Sequence, residues 1–307
     1  MGRERHGTIE WWLLPTDLIV GCPAWDRAWA LPTWFASVRA NVDPAKTGLV
    51  FVIPASDVLT REIIDKLSTG FSWIEVLRDR GVQSGRSERP DTRHETLAAA
   101  RNQVMQVVAA VRPVHYLSWD SDMLVPPRTV EMLRAKKLPL VAVWAWLNRH
   151  VAKPMKFKEG RQVHEVVYQD PIRATGMRWD PKNPGRALHY PADQFLERAA
   201  GVWKTDVALA WQLMDERAYL RAHYAPHHDG EDVPFNWQLE SQDIGRYICG
   251  DIVGVHLYDR GRNETVVGWP QVMRLARQFP LASTFVGERS STWQALGIYP
   301  HLKLEYT

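Results

Sequence analysis

Cysteine is scarce in this chain of 307 residues, which contains only Cys22 and Cys249. Each lies in an apolar stretch, so we expect two buried free thiols, which fit a reducing compartment. Long hydrophobic runs are missing as well, because no apolar stretch reaches the roughly 18 residues that a membrane-spanning helix needs. These absences lead us to expect a cytoplasmic protein without a membrane span.

The sequence motifs of several common enzyme classes are also missing. The chain contains no G-x-x-x-x-G-K-[ST], G-x-G-x-x-G, G-x-S-x-G or C-x-x-C. This argues against a P-loop NTPase, a dinucleotide enzyme, a serine hydrolase and a zinc ribbon. Neither sign of charge dominates, because the net charge is only +3. This is weak evidence for a polyanionic partner. Tryptophan is abundant instead, and its 15 copies supply aromatic surfaces for packing or stacking.

The first 125 residues alternate between short apolar runs and amphipathic stretches. We predict strands at 17–23, 48–54, 72–78 and 114–119, helices at 31–42, 60–70 and 94–111, and a loop at 79–93. Helix 60–70 is expected to begin with Thr60 as its cap and to stop at Gly70. Strands that are apolar on both faces and alternate with helices predict an α/β fold, with a parallel sheet covered by helices on both sides.

The second half of the chain has a different character. We predict a helix at 126–137, a strand at 139–147, a loop leading into a helix within 225–245, a strand at 247–258 and a helix at 270–279. Between them, residues 151–190 hold eight Lys or Arg against four Asp or Glu, and we expect irregular structure or a small antiparallel excursion there.

Two carboxylates follow the fourth predicted strand, in the tripeptide Asp120-Ser121-Asp122. On an extended strand their side chains would point the same way, about 7 Å apart. Ligands of parallel α/β sheets bind at the carboxyl ends of the strands, and carboxylate oxygens suit Mg²⁺ or Mn²⁺. The motif therefore indicates a divalent metal site, and the alternative is a solvated turn.

The segment RHETLAAARNQVMQVVAAVRPVHYLSWDSDMLVPP (93–127) resembles the centre of the GT-A fold glycosyltransferases, which depend on nucleotide sugars. In that family a helix with Arg-Asn, here Arg101 and Asn102, precedes a strand that ends in D-x-D. The resemblance covers roughly residues 17–258. It implies a Rossmann-type, mostly parallel sheet with helices on both faces and an elaborated acceptor-side half towards the C-terminus.

The resemblance also implies a layout for the whole chain. We expect one GT-A-like domain over 1–307, with a nucleotide-sugar-binding half at 17–147, an acceptor and catalytic half at 148–258 and an extension at 259–307. The donor would be a UDP- or GDP-sugar, and the cofactor would be Mn²⁺ or Mg²⁺.

The family pattern assigns roles to particular residues. The resemblance implies that the nucleotide sugar contacts Pro23, Ala24, Asp26, Arg101, Asp120 and Ser121, that Asp122, His256 and Asp120 hold the metal, and that Asp232, or Glu231, is the general base. A base in that acidic pair implies inversion at the anomeric carbon. Each assignment has a structural alternative: His256 as a core histidine, Glu231 and Asp232 as first-turn acids of a helix, and Arg101 as a surface ion-pair partner.

The acceptor is less clear from the sequence. Lys and Arg interleaved with aromatic residues in 151–190 suit phosphate contacts and base stacking, so a nucleic acid is one candidate, for instance a hydroxymethylated DNA base. A saccharide, a lipid-linked sugar or a protein side chain is an equal alternative. Two other functions stay open: a nucleotidyltransferase, which would want a Gly-rich basic loop near the first strand, and a non-catalytic nucleotide- or nucleic-acid-binding module.

Overall fold

The fold is that of a computed structural model, and it describes residues 16–78, 90–147, 150–154, 164–168, 173–174, 176–190 and 201–256. The helices are α1 (Leu31–Arg39), α2 (Val58–Leu67), α3 (Pro90–Val111), α4 (Thr129–Arg134), α5 (Glu216–Tyr219) and α6 (Asp232–Glu240), with a 3₁₀ turn at Pro44–Lys46. The strands are β1 (Leu18–Pro23), β2 (Thr47–Ile53), β3 (Trp73–Arg78), β4 (His115–Ser118), β5 (Met123–Leu124), β6 (Leu140–Leu147), β7 (His150–Pro154), β8 (His164–Tyr168), β9 (Arg173–Ala174), β10 (Gly176–Trp179), β11 (Ala187–His189), β12 (Val202–Lys204), β13 (Val207–Ala208), β14 (Gln212–Asp215) and β15 (Arg246–His256).

The main sheet is mixed and mostly parallel, in the order β12–β15–β6–β14–β4–β1–β2–β3. Strands β3, β2, β1 and β4 pair in parallel, and so do β6 and β15. Strand β14 lies antiparallel between β4 and β6, and β12 lies antiparallel at the edge beside β15. Smaller pairings join β10 to β11 and β13, and β7 to β8.

Helices cover the sheet on both faces. One face packs against α1, α2 and α4, through side chains such as Trp34 and Val130. The other face packs against α3, α5 and α6, through side chains such as Val104 and Phe235. The predicted α/β class and the βαβαβαβ order of the first half are therefore confirmed.

Three differences from the predicted elements concern α3, α2 and β14. Helix α3 begins at Pro90, inside the predicted loop, because Pro is tolerated in the first turn of a helix. Helix α2 begins at Val58, and its cap is Asp57, whose carboxylate accepts the amide N–H of Thr60 at 3.2 Å. Thr60 therefore lies inside the helix, and the prediction that it caps the helix was wrong. The third difference is the antiparallel strand β14, which the sequence pattern did not indicate.

The remaining predictions concern the second half and the ends of the chain. The antiparallel pair β7–β8 and the hairpin β10–β11 agree with the excursion expected in 151–190. The helix predicted at 270–279 lies outside the described residues. Within the part of the chain that the structure describes, no helix has both the length and the apolar character required to cross a membrane.

A close approach of helix and sheet positions the site. A Cβ atom at Gly21 would collide with Val104 of α3 and with Tyr116 of β4, so glycine at this position lets α3 lie directly on β1. Arg101 lies on α3, one turn before Val104. The glycine therefore sets how near Arg101 comes to the carboxyl ends of β1 and β4.

Candidate active site

The D-x-D tripeptide lies in a closed turn beyond the end of β4. The indole N–H of Trp119 donates to the carbonyl of Met123 at 2.7 Å, and the amide of Met123 donates to the carbonyl of Asp120 at 3.0 Å. Trp119 is fully buried between Trp34 and Trp211, with ring centroids 5.7 and 5.4 Å away. The turn that carries the two acids is therefore supported by the packing of Trp119 against two other tryptophans.

The two acids of this turn do not form the parallel pair expected of an extended strand. Strand β4 ends at Ser118, and each carboxylate has its own arginine. Asp120 accepts from Arg101 at 2.7 Å, and Asp122 accepts from Arg27 at 3.0 Å. Burial and the neighbouring Asp122 raise the pKa of Asp120, although the charge of Arg101 opposes this rise.

Arg101 is the centre of the site. Its side chain is only 3% exposed, and it donates to Ser118 Oγ at 2.8 Å, to Asp120 at 2.7 Å and to Glu231 at 3.0 Å. Its guanidinium also lies 5.4 Å from the centre of the Tyr224 ring, within reach of a cation–π contact. Burial disfavours the charge, but the surrounding carboxylates hold the pKa of Arg101 well above its usual value. Arg101 thus joins segments that lie 130 residues apart in sequence.

Glu231 is held as an ion at the start of α6. It is buried and takes hydrogen bonds from Arg101 at 3.0 Å and from His94 Nδ1 at 3.1 Å. Burial by itself would raise its pKa, but the contact with His94 and the charge of Arg101 outweigh burial and lower the pKa to about 2. Glu231 is therefore a fixed negative charge at neutral pH.

Asp232 has the opposite environment, although it is the next residue. It is buried, and its Oδ1 atom accepts a hydrogen bond at 2.9 Å from the neutral amide of Gln212 on β14. Burial and the carboxylates of Glu231 and Asp120 raise its pKa to about 7, against the opposing charge of Arg101. A carboxyl group with this pKa exchanges a proton near neutral pH, as a general base must.

The structure describes the backbone of His256 but not its side chain. His256 ends β15, where its backbone pairs with Met123 of β5. Met123 directly follows Asp122, so the chain brings the backbone of His256 alongside the turn that carries the acids. Strand β15 reaches this far because it continues past an irregularity between Cys249 and Val253.

The predicted donor loop after β1 is anchored at several points. Pro23 accepts a hydrogen bond from Ser121 Oγ at 3.3 Å, and the side chain of Ser121 is thereby turned towards β1. Ala24 is buried and contributes to the core. Asp26 is exposed, has a left-handed backbone with φ of 54°, and donates its amide N–H to Asp57. Asp57 thus both caps α2 and holds the loop through the amide of Asp26.

Sequence reasoning missed four polar groups that contact the predicted residues. These are Arg27 on Asp122, Ser118 on Arg101, His94 on Glu231 and Gln212 on Asp232. Local patterns carry little signal for such contacts, which join residues 17 to 137 positions apart. Arg27 would have been the easiest of them to predict, because it follows Asp26 in the predicted donor loop.

A second polar cluster lies in the turn before α6. His227, His228 and Asp229 each offer a ligand atom within 4.8 Å of the others. The amide of Asp229 donates to His227 Nδ1 at 3.1 Å, and the Asp229 carboxylate accepts the amide of Ala187 at 3.0 Å. The bond between Ala187 and Asp229 therefore joins the β10–β11 hairpin to the turn before α6.

Among the side chains that the structure describes here, carboxyl groups outnumber guanidinium groups. Four carboxyl groups (Asp120, Asp122, Glu231 and Asp232) lie with the guanidinium groups of Arg27 and Arg101, and Asp232, with a pKa of about 7, is partly ionised at neutral pH. A divalent cation would offset the excess of negative charge, and oxygen ligands of this kind suit Mg²⁺ and Mn²⁺.

The chain was compared with known proteins. No protein-family model and no curated protein matches it. Among solved structures it is similar to one of S. aureus TarS, with 12% identity and a TM-score of 0.43, over 78% of this chain and 35% of that one, so it spans about a third of that structure's length. It is also similar to TarS 1–349 in complex with UDP-GlcNAc (11% identity, TM-score 0.43) and in complex with UDP (12%, 0.42). Each of these matches covers 94% of this chain, and 77% and 76% of the respective TarS structure.

Proposed function

We propose that this protein is a metal-dependent, inverting glycosyltransferase of the GT-A type that uses a nucleotide diphosphate sugar. The observation that carries the proposal is that Asp120 and Glu231 both accept hydrogen bonds from one buried arginine, Arg101, beyond the carboxyl end of β4, with Asp232 close enough for its charge to act on the same arginine. Ligands of α/β sheets bind at this edge. An unrelated chain would have little reason to bury so many charges together, because each costs free energy to remove from water.

The donor set fits a divalent cation. Asp122 and Asp120 offer hard oxygen ligands, and the backbone of His256 lies beside the same turn. These three residues would hold Mn²⁺ or Mg²⁺, and the bound ion would neutralise charge on the diphosphate leaving group. The excess of carboxyl groups over guanidinium groups among the described side chains is the physical support for this assignment.

Asp232 acts as the general base. Its carboxylate accepts the proton of the acceptor hydroxyl while the hydroxyl oxygen bonds to the anomeric carbon of the sugar. The bond from that carbon to the phosphate oxygen breaks, and the diphosphate leaves with the electron pair. Attack from the face opposite the leaving group inverts the anomeric centre. Glu231 is less suited to this role, because a carboxylate whose pKa is about 2 is a weak base.

The donor loop supplies the nucleoside contacts. Trp25 is 41% exposed, one residue before Asp26 and two residues after Pro23. An exposed indole at the carboxyl end of a parallel strand is suited to stack on a nucleobase, which contributes about 1–3 kcal/mol per base in other proteins. Trp25→Ala should therefore weaken nucleoside diphosphate binding about tenfold, measured by calorimetry beside the exposed control Leu59→Ala.

The acceptor is proposed as a class. The excess of Lys and Arg in 151–190 supports a nucleic acid, such as a hydroxymethylated DNA base, and the aromatic residues of the same segment equally support a saccharide, a lipid-linked sugar or a protein. Screening modified DNA beside oligosaccharides, with sugar transfer as the readout, separates these acceptors.

The first test of the function is a binding experiment. UDP, GDP, CDP and dTDP are titrated into the protein with and without Mn²⁺, for wild type, Asp122→Asn and the control Asp65→Asn, whose carboxylate pairs with Arg61 on an exposed helix face. We expect metal-dependent binding of one diphosphate, lost in Asp122→Asn and kept in Asp65→Asn. Absence of binding to every diphosphate would overturn the proposal.

A further inference from the structure

We propose that Arg27 is a resident counter-cation of Asp122 that competes with the divalent metal for this carboxylate, so that metal and nucleoside diphosphate bind interdependently. The proposal rests on the proposed function, because it concerns the same metal ligand. Its starting point is the ion pair between Arg27 Nη2 and Asp122 Oδ2 at 3.0 Å, with side chains 32% and 13% exposed.

The backbone around Arg27 is fixed, so the ion pair is part of a built loop. The amide of Arg27 donates to the buried hydroxyl of Thr60 at 3.1 Å, and the preceding amide, of Asp26, donates to Asp57. Asp26 itself adopts the left-handed backbone, with φ of 54°, that turns the chain here. The indole N–H of Trp29 closes the loop by donating to the carbonyl of Asp26 at 3.2 Å.

The side chain of Arg27 has fewer anchors than its backbone. Its guanidinium lies 6.0 Å from the centre of the Trp29 ring and is about one-third exposed. Arginine has several rotatable bonds, so the guanidinium could leave Asp122 without any movement of the loop. The anchored backbone therefore limits the range over which the charge of Arg27 could move.

Arg27 and a metal ion cannot both keep their best positions on Asp122. A divalent cation binds a carboxylate oxygen at about 2.0–2.2 Å, and the guanidinium nitrogen lies 3.0 Å from an oxygen of the same carboxylate. The two positive groups would then be only a few ångströms apart in a partly buried site, where their repulsion is strong. Metal binding in the absence of nucleotide would therefore weaken this ion pair and favour a guanidinium turned towards solvent.

A nucleoside diphosphate changes this balance. Its phosphate oxygens give the displaced guanidinium a new anionic partner, and arginine matches phosphate geometry with paired N–H donors. The metal makes Arg27 available to the diphosphate, and the diphosphate stabilises Arg27 away from the metal ligand. Thermodynamic linkage requires each ligand to raise the affinity of the other by the same factor.

The test is a set of titrations with Mn²⁺ alone, UDP and GDP alone, and each diphosphate with Mn²⁺, on wild type, Arg27→Gln and Arg27→Lys. Arg128→Gln is the matched control, because it removes one exposed arginine that pairs with Glu131 elsewhere on the surface. Electron paramagnetic resonance of free Mn²⁺ reads metal binding directly, without turnover. Circular dichroism checks that each variant is folded.

We expect Arg27→Gln to bind Mn²⁺ alone about tenfold more tightly than wild type, within the usual range of coupling between sites. The same variant should lose most of the enhancement that Mn²⁺ gives to diphosphate binding. Arg27→Lys keeps the charge, so its affinity for Mn²⁺ alone should stay near that of wild type. Arg128→Gln should match wild type in every titration.

Unchanged or weaker Mn²⁺ binding by Arg27→Gln would overturn the proposal, because a competitor was removed without effect. The failure of the proposed function looks different. If no variant binds any diphosphate, the glycosyltransferase assignment falls, while the Mn²⁺ titration still decides whether Arg27 competes for Asp122. Asp122→Asn is titrated with Mn²⁺ beside these variants. Mn²⁺ binding equal to that of wild type would show that Asp122 does not hold the metal and would overturn the Arg27 proposal, while the diphosphate titrations still decide the glycosyltransferase assignment.

Discussion

The acids of the site belong to two regions that treat carboxylates differently. In the turn at 120–122, each acid faces an arginine: Asp120 faces Arg101 and Asp122 faces Arg27. At the start of α6, only Glu231 faces an arginine, whereas Asp232 faces the neutral amide of Gln212. Three carboxylates therefore contact one of two arginines, and the fourth contacts a neutral donor.

In the proposed mechanism this difference separates positioning from proton transfer. A cation beside a carboxylate favours its ionised form, and at Glu231 the contacts with His94 and Arg101 outweigh burial. A buried carboxylate with a neutral partner is easier to protonate, and burial together with neighbouring acids raises the pKa of Asp232 to about 7. Adjacent residues in sequence thus have opposite chemistry because they contact different elements of the fold.

The largest expected effect is on turnover, from Asp232→Asn. Asparagine keeps the shape and accepts a hydrogen bond from Gln212 but cannot take a proton. We expect kcat to fall about 10²- to 10⁴-fold, the usual contribution of a general base. Affinity for the nucleoside diphosphate should be unchanged, as measured by calorimetry beside Asp65→Asn. Full turnover in Asp232→Asn would show that another group is the base, and absence of sugar transfer by wild type would favour a binding module.

The next largest effect is on stability, from Arg101→Met. Methionine has a similar volume but leaves the carboxylates of Asp120 and Glu231 without their buried cation. Breaking a buried ion pair from one side costs about 3–5 kcal/mol, which urea denaturation would measure as a lower free energy of unfolding. The double variant Arg101→Met, Glu231→Gln should recover part of the loss, since it removes one unpaired charge. A single variant as stable as wild type would contradict the central role of Arg101.

The same comparison shows how much of the molecule could be predicted from sequence. Strands β1 to β4 were predicted because each is an apolar run bounded by turn and cap residues, a pattern that is local. Strand β14 was missed, because four residues between β13 and α5 carry no such pattern and are stabilised by pairing with β4 and β6. Gln212 lies on this strand, so missing the strand also meant missing the partner of Asp232.

The site shows the same division between local and distant information. Asp120 and Asp122 were singled out by their place at the end of a predicted strand, and Glu231 and Asp232 were singled out through the family resemblance. Their protonation states could not be predicted from the sequence, because Glu231 and Asp232 are neighbours with the same local sequence. The difference comes from distant contacts: hydrogen bonds from His94 and Arg101 lower the pKa of Glu231, whereas burial and the neighbouring carboxylates raise the pKa of Asp232.

Stability should depend on pH in opposite directions for these two neighbours. The pKa of Asp232 rises from 3.8 to about 7 on folding, so the folded state holds the proton more tightly and stability falls as pH rises from about 4 to 7. The pKa of Glu231 falls from 4.5 to about 2, so its contribution is present above about pH 4.5 and is lost as pH falls towards 2. Urea denaturation across pH should show the first slope reduced in Asp232→Asn and the second reduced in Glu231→Gln. Equal pH dependence in both variants and wild type would mean that neither acid changes its pKa on folding, which would contradict both assignments.

The smallest effect tests the neutral partner itself. The hydrogen bond from Gln212 lowers the pKa of Asp232, so Gln212→Leu should raise that pKa further. A net hydrogen bond is worth about 0.5–1.5 kcal/mol, and one pKa unit corresponds to about 1.4 kcal/mol, so the shift should be up to about one unit. The acidic limb of the kcat/KM profile should then move to higher pH, while turnover at high pH is kept. Gln242→Leu, which removes an exposed amide beyond the end of α6, should leave the limb in place. If the limb does not move in Gln212→Leu, Asp232 is not the group whose ionisation limits the rate. The loss of the hydrogen-bond donor should change the pKa of Asp232 in any case.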